Sequence, residues 1–226
     1  MNNEFARPYA YKRFPEQLGQ HLGGGLFFSV FDKPGDPDTV VKVARRGRWS
    51  LSDLKGQRVY QRMAHDLFLV KRYLGEYLLP TNLIEKDDHW FFEQRKMHNF
   101  AWASNRNADR SLSEKILHFV TQTNIMFEET GFAFDFTGSD LVYELLRFNF
   151  TGWSLPSLLV EDGRLKFADC NLYFSGKIGP KHPSDDRVLT GDELIAACLP
   201  IERYQLQAMN KITDMMIRRL KKSNHQ

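Results

Sequence analysis

Short runs of apolar residues separated by turn-forming residues dominate the first part of the chain. The runs at 26–31 (LFFSVF) and 39–44 (TVVKVA) are rich in aromatic and β-branched side chains, which favour β-strands. Between them lies the segment DKPGDPD, whose proline, glycine and aspartates are typical of a turn. The pattern therefore predicts two or three strands over residues 17–45.

Two longer segments have apolar residues at the three- and four-residue spacing of an amphipathic helix. The first begins near Ser50 and Ser52, either of which can cap a helix. The second begins at Ser111 or Ser113 and ends before Gly131. The apolar positions are Leu54, Val59, Met63 and Leu67 in the first segment and Ile116, Phe119, Val120 and Phe127 in the second.

Paired apolar runs around tight-turn residues predict two hairpins. One joins TNLIEK to HWFFEQRKM across Asp87-Asp88, and the other is SLLVEDGRLKFADCNLYF, with an Asp-Gly turn between two strands. A final helix is predicted from residue 191 to about residue 221. Strands, helix and strands up to Met97, followed by a mainly helical remainder, indicate an α+β fold.

Composition and charge restrict the classes of function. The chain has 42% hydrophobic and 26% charged residues, which is ordinary for a globular protein. Its 31 basic residues are nearly balanced by 28 acidic ones, so nucleic-acid binding is not expected despite the basic stretches VARRGRW and IRRLKKSNHQ. Two cysteines form neither a disulfide framework nor a zinc pattern, and no apolar stretch is long enough to span a membrane. We therefore expect a cytoplasmic protein.

One charged residue interrupts an apolar strand. Lys42 lies between Val41 and Val43, and burying an ammonium group without a partner is costly. The side chain either reaches solvent from an edge strand or meets an anion in a cleft. Three glycines at 23–25 precede this strand; they can form a flexible turn or let backbone N–H groups approach phosphate oxygens.

Taken in order, these segments resemble the protein-kinase-like superfamily. LGGGLFFSVF resembles its glycine loop, VVKV its lysine strand, and WFFEQRKM the strand that leads into its hinge. LLVEDGRLKFADCN resembles the hairpin whose second strand is followed by a metal-binding aspartate. The resemblance covers about residues 17–174 and implies a two-lobed α+β fold. A small β-rich nucleotide-binding lobe would cover 1–97, and a reduced, mainly helical lobe would cover 98–226.

The resemblance also implies a site for ATP in the cleft between the two lobes. Its glycine loop covers the phosphates, its strand lysine contacts their oxygens, and its hinge offers backbone groups to adenine. The matching residues of this chain are Gly23, Gly24 and Gly25 for the loop, Lys42 for the lysine, and Glu93, Gln94 and Arg95 for the hinge.

For magnesium and for the acceptor hydroxyl, the resemblance assigns carboxylates of the second lobe. Asp169 is the predicted Mg²⁺ ligand, with Asn171 or Asp140 as a second ligand, and Asp135 is predicted to orient the acceptor hydroxyl. Asp135 and Asp140 are five residues apart, as the family's catalytic aspartate and asparagine are. The stretch directly before the hairpin, FTGWSLPSLLV, contains no acid, and Ser154 and Ser157 stand near those places instead.

The chain departs from the family in several places. Between Val43 and Ala64 the only acid is Asp53, so no helix glutamate is available to pair with the strand lysine. Cys170 and Asn171 follow the metal-binding aspartate, where the family has phenylalanine and glycine. The sequence thus predicts an ATP- and Mg²⁺-dependent phosphotransferase whose hydroxyl acceptor is a protein or a small molecule. The alternative is a pseudokinase that acts as a nucleotide-sensing or purely interaction module.

Overall fold

A computed structural model provides the fold of the chain. Its helices are α1 (Leu54–Leu74) and α2 (Arg110–Thr130). Its strands are β1 (His21–Gly24), β2 (Phe28–Lys33), β3 (Asp36–Ala44), β4 (Thr81–Lys86), β5 (His89–Arg95), β6 (Ala101–Ser104), β7 (Phe132–Phe134), β8 (Ser154–Glu161), β9 (Arg164–Phe167), β10 (Leu172–Phe174) and β11 (Leu199–Pro200). The residues that the structure describes are 14–24, 27–104, 109–134, 154–170, 172–174, 199–200 and 218.

The predicted α+β class is confirmed. An antiparallel five-stranded sheet, two long helices and two small three-stranded sheets make up the described residues. The chain divides into two compact units: unit 1 contains Met1–Ala64 and Pro80–Met97, and unit 2 contains His65–Leu79 and His98–Gln226. Helix α1 contributes to both units, because the boundary falls within it.

The five-stranded sheet of unit 1 has the order β1-β2-β3-β5-β4. Alternation along the strands gives it two different faces. The residues that pack together on one face are Phe14, Phe31, Val41, Val43 and Phe91, with Leu18, Trp49 and Ile84 partly buried around them. Lys42 pairs with Val30 on β2 and with Phe92 on β5, so these three residues share the opposite face.

The first half of α1 packs against aromatic residues of unit 1. The Tyr60 ring lies 6.1 Å from the Trp90 ring, and its hydroxyl donates a 2.6 Å hydrogen bond to Glu85. The Arg62 guanidinium lies 5.7 Å from the Phe27 ring. Because Trp90 is two residues from Phe92 on β5, the helix lies on the same face of the sheet as Lys42.

The N-terminal caps of both helices differ from the predicted ones, whereas α2 ends before Gly131 as predicted. The carboxylate of Asp53, not a hydroxyl of Ser50 or Ser52, accepts the N–H of Gly56 at 2.7 Å before α1. The carboxylate of Asp109 likewise accepts the N–H of Leu112 at 2.7 Å before α2. Asp and Ser are comparable cap residues, so a neighbouring aspartate can replace the serine expected from the sequence. The backbone of Asp109 has the extended geometry of a cap residue.

Unit 2 contains the two three-stranded sheets, β6-β8-β9 and β11-β10-β7. The predicted hairpin is confirmed as β8–β9, and Asp162 and Gly163 have φ of 49° and 70°, as a type I′ turn requires. Strand β6 was not predicted. Residues Leu199–Pro200 form a strand parallel to β10, so the helix predicted from residue 191 is wrong at these two positions, although Arg218 is helical.

The segment before β1 is fastened to the sheet of unit 1 by Glu16. Its carboxylate lies 2.7 Å from Nζ of Lys86 and 3.2 Å from Nε2 of His89. The Phe14 ring packs edge-on against His89 at 5.3 Å. The hydrogen bond from Lys86, aided by the charges of Lys86 and His89, lowers the pKa of Glu16 below its usual 4.5.

Replacing Glu16 with glutamine should lower stability slightly at neutral pH. A carboxylate whose pKa is lowered by folding stabilises the protein above its unfolded pKa, and this contribution disappears as pH falls through the folded pKa. The difference in unfolding free energy between wild type and Glu16→Gln should therefore shrink below about pH 4.5. Urea denaturation between pH 3 and 7 measures it. Glu128→Gln, at an exposed position of α2, is the control and should show no such trend; a constant difference for Glu16→Gln would contradict the ion pair's role.

Replacing Asp109 with alanine should lower the free energy of unfolding by about 1 kcal/mol, because the N–H of Leu112 loses its acceptor. Ser111→Ala, two residues further on at an exposed position, is the matched control and should change it by less than about 0.5 kcal/mol. Chemical denaturation of both variants tests the cap. Equal losses would show that Asp109 has no capping role.

Candidate functional site

Two glycines of the predicted phosphate loop, Gly23 and Gly24, form the end of strand β1, at the edge of the five-stranded sheet. Gly23 and Gly24 belong to β1 and pair with Val30 and Ser29 on β2. Gly23 has φ of 146°, in the region that favours glycine. A Cβ on Gly24 would overlap the carbonyl oxygen of Phe28 and lie 2.9 Å from Cα of Ser29. Glycine is thus required at 24 by the close approach of the two strands, whatever the hairpin binds.

Lys42 occupies the central strand of the unit 1 sheet. Strand β3 is hydrogen-bonded to β2 on one side and to β5 on the other, so an edge-strand position is excluded. The side chain is half-buried, whereas its neighbours Val41 and Val43 are buried on the opposite face. An ammonium group at this depth is partly desolvated, which favours contact with an anion.

The predicted hinge residues are part of strand β5. Their register pairs Arg95 with Thr39, Gln94 with Val40 and Thr81, and Glu93 with Val41 and Asn82. The N–H of Arg95 donates to the carbonyl of Pro80 at 2.9 Å. The Gln94 side chain is buried and donates to Thr81 at 2.6 Å, and Glu93 forms a 2.8 Å ion pair with Lys33. Sheet pairing therefore already uses the backbone of 93–95.

Asp169 lies just beyond the second strand of the predicted hairpin. Strand β9 ends at Phe167, whose N–H donates to the carbonyl of Tyr77 at 3.0 Å, while the N–H of Leu79 donates to the carbonyl of Phe167, also at 3.0 Å. Phe167 is fully buried and packs on Phe119 of α2 at 5.6 Å. Asp169, two residues later, is exposed. An exposed carboxylate thus follows a strand end whose backbone N–H and C=O are both hydrogen-bonded to the segment 77–79.

The side chains of Glu76, Tyr77 and His118 contact one another near this strand end. The Tyr77 hydroxyl lies 2.5 Å from Nδ1 of His118, and the same nitrogen lies 3.2 Å from the Glu76 carboxylate. Burial, followed by the Glu76 charge and its hydrogen bond, strongly raises the pKa of Tyr77. Tyr77 therefore stays neutral throughout the physiological range.

The structure adds one residue that the sequence analysis missed. Asp66 lies on α1, two positions beyond the stretch 43–64 in which Asp53 is the only acid, and it is fully buried. Its Oδ2 accepts the N–H of Leu172 at 3.1 Å, and its Oδ1 lies 3.3 Å from Nδ1 of His65. The sequence feature that could have indicated Asp66 is its position within the apolar stripe formed by Met63, Leu67 and Val70, where a carboxylate is unusual.

Several predicted site residues are not placed by the structure. Gly25, Asp135, Asp140 and Asn171 lie outside the described residues. Ser154 and Ser157, the two residues considered for the catalytic loop, lie in strand β8. Within the described residues no group of three or more His, Cys, Asp or Glu side chains could hold a metal ion. A Mg²⁺ ion on a nucleotide is usually bound by one or two protein carboxylates, fewer than such a group contains.

No protein-family model matches the chain, and no curated protein matches it. Among the described residues, neither helix has the length and apolarity needed to cross a bilayer.

Replacing Gly24 with alanine should destabilise the β1–β2 hairpin, because the added methyl group overlaps the Phe28 carbonyl. We expect a loss of about 1–3 kcal/mol in the free energy of unfolding, as for other overpacked sites. Leu22→Ala, an exposed position on the same strand, should cost less than about 0.5 kcal/mol. Urea denaturation compares the two variants. An unchanged free energy of unfolding in Gly24→Ala would rule out the close approach of the two strands.

Proposed function

We propose that the chain is an ATP- and Mg²⁺-dependent phosphotransferase with a two-lobed, protein-kinase-like fold. The observation that carries the proposal is the arrangement of unit 1. In chain order it has a glycine-containing hairpin, the lysine strand, one helix and a two-strand hairpin, joined in the order β1-β2-β3-β5-β4. The resemblance implies this order for the small lobe of kinase-like proteins.

Lys42 is the proposed ligand of the α- and β-phosphates. It is half-buried on the central strand, on the face covered by α1, and phosphate oxygens are strong acceptors for hydrogen bonds from an ammonium group. Gly23 and Gly24, two strands away, are proposed to approach the phosphates with their backbone N–H groups, and Gly25 with them.

Asp169 is the proposed Mg²⁺ ligand, because it is exposed and follows a fixed strand end. A Mg²⁺ ion held by Asp169 would supply positive charge to offset that of the nucleotide phosphates. Asn171 or Asp140 is proposed as the second ligand. Asp135 is proposed to accept the proton of the acceptor hydroxyl as that oxygen attacks the γ-phosphorus and the bond to the bridging oxygen of ADP breaks.

The adenine contacts are proposed just after strand β5 instead of at Glu93, Gln94 and Arg95. The backbone of these three residues is engaged by β3 and β4, and the N–H of Lys96 donates to the carbonyl of Asp38 at 2.7 Å. Backbone groups that follow Lys96 are therefore the ones we assign to the adenine edge.

The alternative function is a pseudokinase. It is favoured by the position of Ser154 and Ser157 in a β-strand and by the lack of an acid in FTGWSLPSLLV, the stretch before the hairpin. A pseudokinase of this fold would bind nucleotide weakly or not at all and would transfer no phosphate.

Lys42→Met and Asp169→Asn should each reduce phosphoryl transfer at least about 100-fold, because each removes a charge that stabilises the transferring phosphate. The measurement is release or transfer of radiolabelled γ-phosphate from ATP with Mg²⁺. The controls are Lys55→Met, an exposed position of α1, and Asp162→Asn, in the turn of the hairpin that precedes Asp169. Both should retain wild-type activity.

Full activity in Lys42→Met and Asp169→Asn would contradict the proposed mechanism. If the wild type is thermally stabilised by Mg²⁺ and ATP but transfers no phosphate, the nucleotide-sensing pseudokinase is correct. If it shows neither response, the nucleotide site is refuted, and a purely interaction module is the form of the alternative that agrees with the result.

A further inference from the structure

We propose that Asp66 is a positioning residue that fixes the metal-binding segment 168–171 from its C-terminal end. The proposal rests on the proposed function, because it assigns Asp169 to Mg²⁺. Asp66 itself touches neither metal nor nucleotide in this account. It acts through the backbone of Leu172, three residues beyond Asp169.

The segment that carries Asp169 is short and is anchored at both ends. At its N-terminal end, Phe167 exchanges backbone hydrogen bonds with Tyr77 and Leu79, both at 3.0 Å. At its C-terminal end, the N–H of Leu172 donates to Oδ2 of Asp66 at 3.1 Å. Only four residues separate the anchors, so the position of the exposed Asp169 carboxylate depends on both.

Burial makes the second anchor restrictive. Asp66 and Leu172 are both fully buried. Cys170, which directly follows Asp169 in the chain, is only 6% exposed. A buried carboxylate oxygen that loses a hydrogen bond cannot replace it with one to water, so the loss is costly. A shift of Leu172 away from Asp66 would carry this cost, and exposed Asp169 lies in the chain between buried Phe167 and buried Cys170.

His65 contacts both the Asp66 carboxylate and strand β7. Nδ1 of His65 lies 3.3 Å from Oδ1 of Asp66, and the His65 ring lies 4.7 Å from the ring of Phe132. Phe132 of β7 pairs with Phe174 of β10, the strand that Leu172 begins. The His65-Asp66 pair thus contacts two neighbouring strands, β7 and β10, of the three-stranded sheet β11-β10-β7.

The test compares Asp66→Ala, which removes the acceptor, with Asp66→Asn, which keeps an oxygen in the same place. The first readout is the hydrogen-exchange rate of the Leu172 amide, measured without metal or nucleotide. The second is the Mg²⁺ concentration that gives half-maximal ATP binding. Ile116→Val, a change in the buried core of α2, controls for general loss of stability in the same unit.

Asp66→Ala should raise the exchange rate of Leu172 at least about tenfold and raise the required Mg²⁺ concentration about 10- to 100-fold, as loss of supporting groups around a metal ligand does. Asp66→Asn should restore both quantities in part, and Ile116→Val should change neither. ATP binding in the presence of a chelator should be the same in all four proteins, since Asp66 acts on the metal ligand alone.

Faster exchange at Leu172 with an unchanged Mg²⁺ requirement would overturn the positioning role, and so would unchanged exchange in Asp66→Ala. Failure of the proposed function is distinguishable, because the wild type itself would then show no Mg²⁺-dependent ATP binding. That result would overturn both proposals, even if the exchange rate changed as expected.

Discussion

The two backbone hydrogen bonds that join Phe167 to Tyr77 and Leu79 determine where the Asp169 carboxylate lies. They connect the end of a tight hairpin to the chain that leaves helix α1, and the buried ring of Phe167 closes the contact against α2. These bonds fix the backbone two residues before Asp169, and a fixed backbone is what the proposed metal ligand requires.

In unit 1, the alternation of side chains along strand β3 determines the direction of Lys42, the proposed phosphate ligand. Val41 and Val43 enter the core on one face of the sheet, so Lys42 is directed to the face that α1 covers. This arrangement explains how a lysine is tolerated between two valines. The charge is not buried among them, because neighbouring residues of a strand point in opposite directions.

Local patterns in the sequence were sufficient for much of the fold but not for the site. The strands of unit 1 and the hairpin around Asp162-Gly163 follow from alternation and from turn residues that tolerate positive φ.

The predicted N-terminal helix caps were wrong because serine and aspartate are nearly equal in their preference for the cap position. Strand β6, AWAS, is four residues long and half alanine, so its composition carries little β-strand signal. Asp66 was missed as a site residue because its role depends on Leu172, which is 106 positions away in the chain.

The most direct test is a crystal structure of the protein with Mg²⁺ and a non-hydrolysable ATP analogue. The account predicts a metal ion about 2.1 Å from an Asp169 carboxylate oxygen. It also predicts Nζ of Lys42 within hydrogen-bond distance, about 2.7–3.2 Å, of a phosphate oxygen of the same nucleotide. A nucleotide whose metal is held without Asp169, or whose phosphates lie out of reach of Lys42, would contradict it.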